Sequence, residues 1–80
     1  MRVLNFKAKK FIVGRNIVVK KTFVNGNVVL ATGEIGKILS ESIISLPDMN
    51  LFDIRVLEIE FSKNTVNLGE SIAEEYMEMI

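Results

Sequence analysis

The chain contains neither cysteine nor histidine, and no tryptophan; proline and tyrosine occur once each in 80 residues. Each absence removes a class of chemistry. Without cysteine there is no disulfide framework, no thiolate metal site and no Cys–His nucleophile. Without histidine a Ser–His–Asp triad cannot be assembled, and zinc centres built on His and Cys are excluded. The serines at 40, 42, 45, 62 and 71 therefore have no imidazole to activate them. No apolar run approaches the roughly 18 residues needed to span a bilayer, and residues 1–10 interleave charge with apolar side chains, unlike a secretory h-region. These features predict a soluble, cytoplasmic protein without a membrane partner, a catalytic residue, a metal or a cofactor.

What the chain does have is apolar surface. Hydrophobic residues make up 49% of it, about 55% with the glycines, above the roughly 45–50% of an average soluble domain. A chain of this length forms one domain, here residues 1–80, and buries only about 60% of its unfolded surface. Part of the apolar excess is thus expected to meet a partner, a protein or a second copy of the chain. Charge is balanced overall but divided along the sequence. Residues 1–40 hold eight cations against Glu34, and residues 41–80 hold nine carboxylates against Arg55 and Lys63. Neutralisation between neighbouring strands is the plain explanation; a basic binding face beside an acidic one is the functional alternative.

Period-2 alternation runs through the first two-thirds. Leu4, Phe6, Ala8, Lys10 and Ile12 share one side of a first strand. Gly14-Arg15-Asn16 reads as a turn and residues 16–24 as a second strand. Asn25-Gly26 between β-branched runs predicts a hairpin with a type I′ turn, which requires φ > 0 at both central residues. Gly33 and Gly36, three apart within a strand pattern, predict a bend. Pro47 closes the segment that follows, and residues 46–53 read as a loop. Residues 54–61 alternate again, with Leu57, Ile59 and Phe61 inward and Glu58 and Glu60 outward; a turn at 62–64 leads to a short strand at 65–68. Ser71 and Glu74 have capping-box spacing. Ile72, Tyr76 and Met79, widened by Ala73, Met77 and Ile80, recur at helical spacing and predict a C-terminal helix over 71–80.

Five or six short antiparallel strands and one terminal helix in so short a chain predict a mainly β fold, a small closed barrel, because closure removes exposed edges. The segment 28–68 resembles the small SH3-like barrels. Its marks are Gly33, Gly36 and Ile38 in a G-x-x-G-x-[IV] bend, then a variable loop and a strand at 57–61. The order is similar to the ferredoxin–thioredoxin reductase variable chain, the small barrel protein of photosystem I and the small nitrogenase accessory proteins. That resemblance covers about half the chain and implies a non-catalytic scaffold or adaptor.

Three constellations carry functional expectations. Lys7, Lys9, Lys20 and Lys21, with Arg15, are candidates for a phosphate, nucleotide or nucleic-acid face, although Phe6, Phe11 and Phe23 suit the core better than base stacking. Met49, Leu51 and Phe52 are large apolar residues in a segment that otherwise reads as exposed turn; they either plug a partner protein's pocket or fold back over the barrel. Ile72, Tyr76, Met79 and Ile80 form a candidate homo-oligomer interface. Glu58 and Glu60 share one side of one strand and suit a solvated face. Asp48, Asn50 and Asp53 lack EF-hand spacing, and Gly33 and Gly36 precede strand-like residues, unlike a phosphate-binding loop. The preferred expectation is a non-enzymatic module acting by protein–protein contact, as adaptor or inhibitor. A structural subunit is a further alternative. The abundance of Ile, Lys and Asn suits an AT-rich genome and a phage accessory protein.

Overall fold

The computed structural model describes residues 11–80. Strands account for 57% of them, so the domain is mainly β, with one short helix near its C-terminus. The chain runs through β1 (Asn16–Val19), β2 (Phe23–Asn25), β3 (Val28–Leu30), β4 (Ile35–Leu46), β5 (Leu51–Glu60), β6 (Thr65–Gly69), α1 (Glu70–Tyr76) and β7 (Met77–Met79). Five strands form one antiparallel sheet in the order β6-β5-β4-β1-β7, and β2 with β3 forms a separate hairpin. No ladder joins β6 to β7 among the described residues, and no closed barrel is seen among them.

Alternation decides which face is dry. Val66 and Leu68 of β6, Leu57 and Ile59 of β5, Ile38 of β4, Ile17 and Val19 of β1 and Met77 of β7 are all buried. Their cross-strand neighbours match: Ile59 opposes both Ile38 and Val66, and Leu57 opposes Leu68. Phe23 and Leu30, themselves opposite each other in the β2–β3 hairpin, complete the core with Phe11, Phe61 and Ala73. Each of the larger side chains, Ala73 apart, contributes about 1.5–3 kcal/mol by leaving water. Gly36 has a specific task. A Cβ there would come within 2.7 Å of the Phe61 ring and 3.0 Å of the Glu60 carbonyl oxygen, so the missing side chain is what lets Phe61 close that end of the core.

Several local expectations need correction. The predicted second strand over 16–24 is two: it breaks at Lys20 and Lys21, whose N–H groups both donate to the Tyr76 carbonyl, and β2 then leaves the sheet. The hairpin turn is shifted by one residue. Asn25 pairs with Val28, so Gly26 and Asn27 are the two turn residues, and of these Gly26 alone has positive φ, at 62°. Glycine at the first central position with a negative φ after it is the type II′ pattern and not type I′.

The helix is shorter than 71–80. It ends at Tyr76, and Met77–Met79 is an edge strand paired with β1, with Val19 opposite Met77 and Ile17 opposite Met79. The physical reason lies in Met77-Glu78-Met79, which also alternates with period 2; an edge of β1 was available, and seven residues of isolated helix are marginal. Ser71 is not the cap. Gly69 occupies that position without a side-chain hydrogen bond, and the first helical residue is Glu70. The first predicted strand, apart from its end at Phe11, Ile12 and Val13, lies outside the described residues.

Candidate functional site

β4 and β5 are much longer than their neighbours, and the excess forms the site. β1 pairs with β4 only at residues 35–37, and β6 pairs with β5 only at 56–60. Among the described residues, β4 and β5 continue together beyond these limits as a two-stranded ribbon, through the pairs Ser42 with Val56, Ile43 with Arg55, Ile44 with Ile54 and Leu46 with Leu51. The result is an arm projecting from the body. The radius of gyration is 13.8 Å, against about 11.6 Å for a compact domain of this length.

The tip is built for a tight reversal. Pro47–Met49 makes one 3₁₀ turn, Asn50 adopts φ 56°, and its N–H returns to the Pro47 carbonyl at 2.9 Å. Asparagine is among the few residues that accept this conformation readily. A register shift follows between Ile44 and Leu46. Asp53 stands opposite it at φ 55° and donates its N–H to Ser45 Oγ at 3.2 Å. The expected loop at 46–53 is therefore half strand: residues 47–50 turn, and Leu46 and residues 51–53 belong to β4 and β5.

Exposure along the arm is the decisive feature. Met49 is 65% exposed, Phe52 59% and Ile43 58%, while Ile44, Leu46 and Leu51 are each about 40% exposed. These side chains do not fold back over the core. Alternation places Ile44 and Leu46, with their partners Ile54 and Leu51, on one face of the ribbon, and Ile43 on the face of Glu41 and Arg55. Between Ser42 and Phe52 the single charge is Asp48. Sequence reading found Met49, Leu51 and Phe52; it missed Ile43, Ile44 and Leu46. Their signal was an Ile-Ile pair followed by Leu at the end of a strand, with no short turn to separate them from the loop.

The root of the arm is held by a charge cluster that was also missed. Arg55 faces inward in line with Leu57 and Ile59, with 9% of its side chain exposed. Its Nε donates to Glu41 Oε1 at 2.7 Å, its Nη1 to Glu70 Oε2 at 2.6 Å, and its Nη2 to the Phe11 carbonyl and toward Glu41. One guanidinium thus ties β4, β5, the start of α1 and the segment before β1. Burial opposes its charge, but the hydrogen bonds and attraction of Glu41 and Glu70 outweigh burial and raise its pKa above the ordinary arginine value. The signal in the sequence was Arg55 itself, a cation at an inward position of an otherwise apolar alternation.

The other candidate residues are dispersed. Lys7 and Lys9 lie outside the described residues. Arg15 precedes β1 and Lys20 follows it, which separates them by roughly 10 Å or more of strand. Lys21 is engaged locally, its Nζ 3.2 Å from Glu75 Oε2 and 4.9 Å from the Tyr76 ring centre. Tyr76 also meets Phe23 edge-on at 5.1 Å, and Met79 packs against the core. Of the expected oligomer stripe, Ile72 and Ile80 remain exposed. Two open depressions, of about 410 Å³ beside Gly36 and Phe61 and about 200 Å³ between β2, β3 and β6, are shallow features of the body. Among the described residues no cluster of three Asp or Glu side chains is arranged to hold a metal, and no helix is long and apolar enough to cross a membrane. Comparison with protein-family models, with curated proteins and with solved structures finds no match to this chain.

Proposed function

We propose that this chain is a non-enzymatic protein-binding module, an adaptor or inhibitor, that engages its partner through the β4–β5 arm. The observation that carries this reading is the exposure of six large apolar side chains on a charge-poor ribbon standing away from the core. Exposed apolar surface gathered on a projecting, rigidly rooted element is the physical profile of a binding anchor: leaving water supplies the affinity, and the fixed backbone limits the ordering cost. Met49 and Phe52, the most exposed of the six, are the residues that enter a partner's pocket. The resemblance to SH3-like adaptor chains supports the same role, and the lack of cysteine fits a cytoplasmic setting.

The test is capture from native lysate by the wild-type chain and by the Met49→Ala/Phe52→Ala double variant, each at about 0.1 M and about 1 M salt. A protein retained by the wild type at both salt levels and lost by the variant supports the reading. Retention of nucleic acid that is released by salt and indifferent to the variant would replace it with the phosphate-binding alternative.

A further inference from the structure

The β4–β5 ladder changes register inside the arm. Ile44 pairs with Ile54, yet Leu46 pairs with Leu51. An unbroken antiparallel ladder advances one residue on each strand, so it would set Ser45 against Asp53 and Leu46 against Phe52. Instead Ser45 faces two residues, Phe52 and Asp53, which is a β-bulge with one extra residue on β5. Its backbone is unusual at one point. Asp53 has φ 55°, and among the described residues Asn50 is the one other non-glycine residue with positive φ. L side chains rarely adopt that conformation, and residues held in it gather at functional sites. These two bracket Leu51 and Phe52. Ser45 Oγ secures the bulge by accepting the Asp53 N–H at 3.2 Å.

We propose, on the reading of the arm as the binding element, that Asp53 and Ser45 are positioning residues: the bulge they hold aims Phe52. Residues opposed in an antiparallel pair share a face, and neighbours along a strand stand on opposite faces. Continued without the bulge, the ladder would set Phe52 opposite Leu46, on the side of Ile44 and Ile54. The bulge gives that place to Leu51 and turns Phe52 to the other side, that of Ile43 and Ser45. Exposure follows the same division. Phe52 and Ile43 are 59% and 58% exposed, against 40–41% for Ile44, Leu46 and Leu51. A slip of one residue exchanges the two faces of a strand, so loss of the bulge would bring Phe52 onto the less exposed side and send Leu51 off it. The aromatic ring meets a partner from the Ile43 side only while Asp53 keeps its left-handed backbone. Aspartate tolerates that backbone better than most residues, and a β-branched residue does not.

Cross-strand NOEs on the full chain, thermal unfolding, and titration with the protein captured by the wild type test this in three variants. Asp53→Gly keeps the positive φ without a side chain to strain. Asp53→Val/Ser45→Ala resists that φ and removes the acceptor of the Asp53 N–H. Phe52→Ala removes the ring itself. In the wild type and in Asp53→Gly, NOEs should join Leu46 to Leu51, and the two affinities should match. In Asp53→Val/Ser45→Ala, NOEs should join Leu46 to Phe52 and affinity should fall roughly fivefold, as far as in Phe52→Ala. The unfolding midpoint of this double variant should not fall, which separates aiming from a merely structural role. A Leu46–Phe52 NOE in the wild type overturns the proposal, and so does a double variant that keeps the Leu46–Leu51 pattern. Lost affinity in Asp53→Gly also overturns it, because the carboxylate and not the backbone would then be what the partner needs. Full affinity in the re-registered double variant, with affinity lost in Phe52→Ala, overturns the aiming alone and leaves the arm as the binding element. Full affinity in Phe52→Ala overturns both. The wild-type NOEs and Asp53→Gly decide the matter even where the double variant does not fold.

Discussion

Replacing Arg55 with methionine keeps most of the side chain's volume and removes the guanidinium, which isolates the clamp at the root of the arm. Glu41 and Glu70 then both lose the Arg55 guanidinium, and the Phe11 carbonyl loses its donor. Breaking a buried ion pair by removing one partner costs about 3–5 kcal/mol. Here the carboxylates keep 29% and 33% side-chain exposure, so water recovers part of that, and the expected loss is about 2–3 kcal/mol. A domain of this size is stable by only about 4–12 kcal/mol. At roughly 4–8 °C per kcal/mol for a domain of this length, the midpoint of thermal unfolding should fall by roughly 8–24 °C. Arg55→Lys should recover little, since an ammonium cannot bridge three acceptors as the planar fork does. Lys21→Met is the control, because the Lys21–Glu75 pair is more than half exposed and such pairs add little. The assay is calorimetry or circular dichroism of all three variants at constant salt. A midpoint for Arg55→Met within experimental error of that for Lys21→Met would refute the clamp. The raised pKa keeps Arg55 charged through the neutral and basic range, and its charge is lost only above the ordinary arginine range; the Arg55→Met deficit should therefore not change as pH rises from about 7 to about 10.

Further outcomes follow from the backbone. Gly36→Ala drives a methyl into the Phe61 ring and toward the Glu60 carbonyl and should cost about 1–3 kcal/mol in urea unfolding, as overpacking does, with Phe61→Leu restoring part of the loss. Gly26→Ala meets no steric neighbour, yet its positive φ should make it about 1–2 kcal/mol less stable; equal midpoints for wild type and variant would contradict the turn assignment.

The parts of the fold legible in the sequence are those in which one rule acts alone. Leu57, Ile59 and Phe61 were readable as inward because alternation between charged neighbours admits no other register. Gly36 was readable as a place of close approach within a strand, although only the structure names Phe61 as what approaches; the bend expected over Gly33 and Gly36 is a turn at Gly33, and Gly36 itself lies in β4. Where two rules competed, the sequence was silent. Met77 and Met79 fit a helix with Ile72 and Tyr76 as well as a strand beside β1, and the choice rested on an edge that no local pattern reveals. Asn25-Gly26 carries a strong turn signal, but register across β2 and β3 moved the turn by one residue. The candidate site was half legible. Apolar residues around Pro47 stood out, while the length of the arm depends on where β1 and β6 stop pairing, which is tertiary information. The Arg55 cluster was missed: alternation put a cation in line with Leu57 and Ile59, but its partners Glu41 and Glu70 lie 14 and 15 residues away.

The most direct measurement of the arm's role is titration calorimetry of the captured partner against the wild type, Met49→Ala and Phe52→Ala, alongside thermal unfolding of each chain. Both residues are exposed at the arm's end, so each substitution should leave stability within about 0.5 kcal/mol. Each should weaken affinity by more than about 1 kcal/mol, roughly fivefold, as truncation of an interface anchor does, with little change between low and high salt. Unchanged affinity in the Met49→Ala/Phe52→Ala double variant, with its fold intact, would contradict a partner held by the β4–β5 arm.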